Sequence, residues 1–183
     1  MAEVKVPRFM ISAPGSGSGK TTIVCGLLKA LMAKGLSVAA FKSGPDYIDP
    51  MFHSRVIGAK SRNLDLFMLG QATTRYLVAK NARQADVAVF EGAMGFYDGM
   101  GKTTEASAYE LACTCDVPVV LVVNGKGAAL SIAATIKGFK EFRSDSHIVG
   151  AILNNVNPMS YLFYKDVIER EAGVKLLGYF PVM

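Results

Sequence analysis

Short, mainly apolar runs alternate along this chain with longer amphipathic stretches. The runs fall at residues 9–12, 38–41, 87–90, 117–123, 148–153 and 174–179, and helical spacing predicts helices near 20–33, 71–82, 105–115, 128–142 and 159–172. Strands buried on both faces and separated by helices imply a parallel sheet, so the pattern predicts a doubly wound α/β domain with helices on both faces. Residues 43–65 fit neither pattern. Gly44, Pro45, Pro50 and Gly58 predict a long irregular segment there, and such a loop inside a compact domain is usually functional. In open α/β sheets ligands sit at the carboxyl ends of the strands. Here those ends carry the unusual residues: 14–22, 42–49, 91–98, Asn124, and the pair Asn154 and Asn155.

A chain of 183 residues is expected to form a single domain, 1–183, at ~150 residues per domain. The composition, 51% hydrophobic and 19% charged, excludes a disordered chain. The net charge of +5 is scattered and suits anionic small molecules at least as well as nucleic acid, which is not expected as a partner. Cys25, Cys113 and Cys115 make no disulfide framework, and a reduced, cytoplasmic setting is expected. No apolar stretch approaches the ~18 residues that cross a membrane. Glu3, Lys5 and Arg8 interrupt any signal-peptide pattern.

The segment Ala13-Pro14-Gly15-Ser16-Gly17-Ser18-Gly19-Lys20-Thr21-Thr22 follows a predicted strand and opens a predicted helix. That is the setting of a phosphate-binding P-loop. Glycines let backbone N–H groups turn inward around phosphate oxygens, and the helix N-terminus adds partial positive charge. Lys20 is expected at the β- and γ-phosphates, and the Thr21 hydroxyl on Mg²⁺. The strict pattern wants glycine six residues before the lysine, where Pro14 stands.

Two further loops carry dense polar groups at strand ends: residues 42–53, reading Lys-Ser-Gly-Pro-Asp-Tyr-Ile-Asp-Pro-Met-Phe-His, and 91–99, reading Glu-Gly-Ala-Met-Gly-Phe-Tyr-Asp-Gly. Taken bare, each is also compatible with solvated turn chemistry. With the P-loop, these segments closely resemble those of the cobyrinic acid a,c-diamide synthase family. Its pattern is roughly Ala-Pro-x-Ser-Gly-x-Gly-Lys-Thr-Thr, then Lys-x-Gly-Pro-Asp-Tyr-Ile-Asp-Pro-x-Phe-His, Asn-Leu-Asp and Glu-Gly-x-Met-Gly-x-x-Asp-Gly. Asn63-Leu64-Asp65 supplies the third motif, and Pro14 matches the family's own P-loop. The resemblance runs from about Phe9 to the C-terminus.

The resemblance implies a P-loop NTPase-like, dethiobiotin synthetase-like fold. It also implies ATP-dependent amidation of the a and c acetate carboxylates of cobyrinic acid through acyl phosphates, in cobalamin biosynthesis. ATP and Mg²⁺ are the implied cofactors, and an anionic tetrapyrrole the implied substrate. Gly15, Ser16, Gly17, Ser18, Gly19, Lys20, Thr21 and Thr22 would hold the phosphates, and Asn154 is similar to the adenine-reading asparagine of this class. Thr21, Asp46 and Glu91 are the first choices for the metal. Asp65 competes with Asp46, because dethiobiotin synthetases use an Asn-x-Asp aspartate. Lys20 and Lys42 would bridge the transferred phosphoryl group, with Asp46, Asp49 and Glu91 as the catalytic carboxylates. Tyr47, His53 and Asp98 would line the substrate side, and Arg55, Lys60 and Arg62 make that segment basic, suited to a polycarboxylate.

Family members normally continue into a glutaminase domain with a cysteine nucleophile and a histidine partner. The only histidines here are His53 and His147, so glutamine hydrolysis is not expected. The chain is expected to be a truncated form or a stand-alone subunit, fed by a glutaminase domain or by free ammonia. A homodimer is possible. The same motifs fit a nickel-sirohydrochlorin a,c-diamide synthase. A third alternative is a switch ATPase like the ParA and MinD partition and septum-site proteins. Those usually carry an extra lysine early in the P-loop, which residues 13–18 lack.

Overall fold

A computed structural model describes residues 6–182. The strands are β1 (Arg8–Ser12), β2 (Val38–Ser43), β3 (Lys60–Leu64), β4 (Val87–Glu91), β5 (Val119–Asn124), β6 (Ile148–Asn154) and β7 (Lys175–Phe180). The α-helices are α1 (Lys20–Ala33), α2 (Ile48–Phe52), α3 (Leu66–Ala82), α4 (Ala108–Cys115), α5 (Ser131–Glu141) and α6 (Pro158–Ala172), with a π-helical turn at His53–Ile57. They build a seven-stranded sheet in the order β3-β2-β4-β1-β5-β6-β7, and every pairing is parallel. The expected doubly wound α/β fold is the one observed.

The apolar runs are continuous because the central strands feed two cores. Met10, Phe41, Phe90 and Leu121 pack on one face with residues from α3 to α6. Their neighbours Ile11, Ala40, Val89 and Val120 pack on the other with Ile23, Val24 and Leu28 of α1. Successive strand residues point to opposite faces, so burial on both sides removes any alternation of polarity. Connections running toward β3 cross one face and those running toward β7 cross the other. The direction reverses around β1, between β4 and β5. That reversal opens a crevice at the carboxyl ends of the central strands.

Two features depart from the sequence pattern. The segment 43–65 is not irregular throughout: it holds α2, the π-turn and the edge strand β3, whose Lys60 and Arg62 are exposed while Ser61 and Leu64 are buried. A polar edge strand looks like loop in sequence, and its charges blunt the open edge. Helix α3 begins at Leu66 rather than near 71, capped by the Asp65 carboxylate, which accepts from the Phe67 and Met68 N–H groups. Gly70 takes a non-helical conformation (φ 68°, ψ 168°) and interrupts the apolar spacing of the first turn. The three cysteines lie half-buried on helices. No helix among the described residues is long and apolar enough to cross a membrane.

Phe90 is fully buried, with its ring 4.9 Å from that of Phe41 between β4 and β2. Phe90→Ala is expected to cost about 3–5 kcal/mol, read as a lower midpoint in urea denaturation at unchanged slope.

Candidate active site at the strand ends

The P-loop takes its shape from its glycines. Gly17 (φ 75°) and Gly19 (φ 95°) occupy the left-handed region that L side chains rarely adopt. A Cβ on Gly19 would collide with the amide of Asn154, which itself donates from Nδ2 to the Ser18 carbonyl at 3.1 Å. The Asn154 amide keeps a second N–H and its oxygen. The loop after β4 closes over β1, with Phe96 N–H donating to Ala13 O (2.8 Å) and a Cβ on Gly95 falling 2.6 Å from Pro14 O. Lys20, at the start of α1, folds back to donate to Gly15 O (3.0 Å) and Met94 O (2.6 Å). Burial, helped by the nearby Lys42 charge, holds its pKa below the ordinary lysine value.

Beside this loop lies a compact polar cluster. Register pairs Lys42 of β2 with Glu91 of β4, so both side chains leave the sheet at the same level. Lys42 Nζ donates to Glu91 Oε1 (2.9 Å) and Asp49 Oδ2 (2.6 Å), with Asp46 Oδ2 at 3.7 Å. The Thr21 hydroxyl donates to Glu91 Oε1 (2.6 Å) and lies 3.3 Å from Asp49 Oδ2. Burial alone would lower the Lys42 pKa, but the charge of Glu91 and the bond to Asp49 outweigh it, and the ammonium is held above its ordinary value. Burial likewise works against the Asp49 carboxylate, yet its bond to Lys42 and the Lys42 charge keep it below the usual carboxylate value.

The other expected residues take distinct places. Asp46 lines a hollow of about 460 Å³ with Ser16, Gly17, Lys20, Thr21 and Lys42. Its Oδ1 accepts from the Ile48 and Asp49 N–H groups, and Asn63 Nδ2 braces its carbonyl at 2.6 Å. Asp65 caps α3 and lines an adjoining hollow with Phe67, Met94 and Asp98. Of the aspartates considered for the metal, neither Asp46 nor Asp65 is hydrogen-bonded to Thr21; Asp49 comes within reach of it. Asp98 is exposed and accepts from Gly95 N–H at 2.9 Å. Tyr47 is 86% exposed at the rim. Arg55 and Arg62 are exposed but line neither hollow. His53 departs from expectation: it is completely buried behind Glu91 and cannot line a substrate surface. Burial keeps its imidazole pKa below the ordinary histidine range, against the pull of Glu91 and Asp49.

Sequence reasoning did not anticipate the Met94 carbonyl as a partner of Lys20, nor Asn63 as the brace of the Asp46 turn. A carbonyl leaves no trace in residue type. Asn63, by contrast, stands in a quoted motif, where only Asp65 had been given a role. Among the described residues no three His, Cys, Asp or Glu side chains form a metal cluster by themselves. Thr21, Asp49 and Glu91 nevertheless bring oxygen atoms together, the donor type that a hard divalent cation takes, beside the Lys42 ammonium that bonds to both carboxylates.

The model of the CobQ/CobB/MinD/ParA nucleotide binding domain matches residues 9–183. The chain belongs to that family. That family is described as a nucleotide-binding domain. The chain is 43% identical over 175 residues to a protein of Clostridium acetobutylicum named cobyrinate a,c-diamide synthase, covering 94% of this chain and 40% of that protein. It is 44% identical over 174 residues to a protein of the same name from Caldanaerobacter subterraneus, covering 94% and 38%. The chain therefore spans about 38–40% of the length of these curated relatives. Among solved structures it is similar to the signal recognition particle receptor FtsY of Elizabethkingia anophelis. The TM-score is 0.67 at 14% identity, covering 96% of this chain and 58% of that one, a likeness of fold.

Gly19→Ala forces a side chain into a left-handed position and against Asn154, a strain of about 1–3 kcal/mol. Nucleotide affinity, measured by isothermal titration, is expected to fall by about tenfold or more, with little change in the far-ultraviolet circular dichroism.

Proposed function

We propose that this chain is the ATP-dependent synthetase portion of a cobyrinate a,c-diamide synthase, amidating the a and c acetate carboxylates of cobyrinic acid in cobalamin biosynthesis. The observation that carries the reading is identity of 43–44% across nearly the whole chain to relatives bearing that name. The family description also covers MinD and ParA, but these relatives favour the amidating reading.

A carboxylate resists ammonia because its negative charge makes the carbon a poor electrophile. The γ-phosphoryl group of ATP passes to a carboxylate oxygen and ADP leaves. Ammonia then attacks the carbonyl carbon, the phosphate departs with the bonding pair, and the nitrogen loses a proton. The first step needs chiefly the in-line placement of two anions and the neutralisation of their charge. In this reading the backbone of residues 15–22 cradles the β- and γ-phosphates. Lys20 stays protonated by contact with phosphate, and Lys42 faces the acceptor side. Thr21, Asp49 and Glu91, with Asp46 at the rim, would hold a magnesium ion that offsets charge on the transferring group. Asn154 would meet the base edge with its remaining N–H and its oxygen.

Tyr47 and Asp98 face the acceptor, and Arg55 and Arg62 add long-range positive potential for a polycarboxylate. Ammonia comes from a glutaminase region or free in solution. A cytoplasmic setting and a homodimer belong to the same proposal.

The test is phosphate release from Mg-ATP with ammonium chloride, with and without cobyrinic acid. Release that requires both, with two successive hydroxyl-to-amide mass changes, is expected. Glu91→Gln and Asp49→Asn are each expected to lower kcat by at least about a hundredfold. ATP turnover indifferent to the corrin overturns the reading in favour of a switch ATPase, and turnover restricted to nickel-sirohydrochlorin reassigns the substrate.

A further inference from the structure

His53 and Glu91 are both fully buried, and each carries one side-chain atom without a hydrogen-bond partner: Nε2 of His53 and Oε2 of Glu91. The two orphans are 3.4 Å apart. Leaving a buried donor and a buried acceptor unpaired costs about 1–3 kcal/mol each, so a small closure that joins them is strongly favoured. The opposite ring nitrogen, Nδ1, lies 3.4 Å from the buried Ser61 hydroxyl on β3. The Glu91 carboxylate is thus divided, Oε1 receiving Thr21 and Lys42 and Oε2 facing only the imidazole.

We propose that His53 is a positioning residue for Glu91. A neutral imidazole, protonated on Nε2, donates to Oε2 and fixes the carboxylate plane so that Oε1 presents to Thr21. Ser61 selects that tautomer by donating its hydroxyl proton to Nδ1. Without the imidazole, Glu91 can rotate about its terminal torsion, which is broad and two-fold for a carboxylate. Ligand-holding carboxylates commonly depend on such outer partners, and their loss costs about 10–100-fold in metal affinity or activity. The π-turn sets the ring in place: it begins at His53, whose carbonyl accepts from Ala59 N–H at 2.9 Å as the chain enters β3.

The inference rests on Glu91 serving the metal-nucleotide complex, so the experiment separates the two. Manganese affinity of the nucleotide complex is measured by electron paramagnetic resonance for the wild type, Glu91→Gln, His53→Phe and His53→Gln. Glu91→Gln is expected to weaken it most. His53→Phe is expected to weaken it by about tenfold, and His53→Gln, which keeps an N–H near the Nε2 position, to restore most of the loss. An unchanged affinity in Glu91→Gln sinks the metal role of Glu91 itself. A large effect there with none in His53→Phe, or equal losses in both His53 variants, overturns the positioning role alone. Should His53→Phe fail to fold, nitrogen-15 NMR of the wild-type ring decides: protonation on Nε2 is expected, and a proton on Nδ1 overturns the proposal.

Discussion

An ammonium group withdrawn from water needs anions within hydrogen-bonding reach, and the crevice is organised around that need at Lys42. Its side chain is 5% exposed and its partners Glu91 and Asp49 are 0% and 17% exposed. Desolvating such a triad is expensive, and removing one member leaves an uncompensated charge at a cost of about 3–5 kcal/mol. The cluster persists because three separate elements deliver it: β2 brings Lys42, β4 brings Glu91 in register, and the short helix α2 brings Asp49. An apolar trio would hold the same elements together more cheaply. Retaining charge there makes sense where the charges act on a ligand, which is how the proposed phosphoryl transfer would use them.

The glycine loop solves a related problem with backbone. Phosphates, which this loop would hold in the proposed function, need many donors in little space, and Gly17 and Gly19 supply turns that other residues would strain to make. Side chains then lock the loop from two sides. Lys20 reaches across to the carbonyl of Met94, and Asn154 reaches from β6 to the carbonyl of Ser18. The hollow beside the glycine loop and its neighbour share Ala93 and Met94, so the second glycine-rich loop is the wall between them.

How far the sequence was legible follows from what each residue's neighbours allow. Strands buried on both faces announce themselves as unbroken apolar runs, so β1, β2 and β4 to β6 were visible; of the two edges, β7 was visible because it keeps an apolar run, whereas β3 was hidden because an edge strand is free to be polar. Helix α3 lost its first turn to Gly70. Within the crevice, the glycine loop, Lys42 and Glu91 stood out because strand ends are where ligands bind. Asp46 and Asp65 could not be ranked as metal ligands from spacing, and Asp49, the aspartate within reach of Thr21, was not put forward as one; the turn that aims Asp46 Oδ1 at the Ile48 and Asp49 N–H groups leaves no mark in residue type. His53 was misread as surface because its segment is dense in polar residues. Its burial comes from the π-turn, which no residue type announces.

The bond from Asn154 to Ser18 spans 136 positions of chain. The loop's shape is therefore a tertiary property and not a local one. A fragment that stops before β6 carries every glycine of the loop but lacks the contact that holds the Ser18 carbonyl in place.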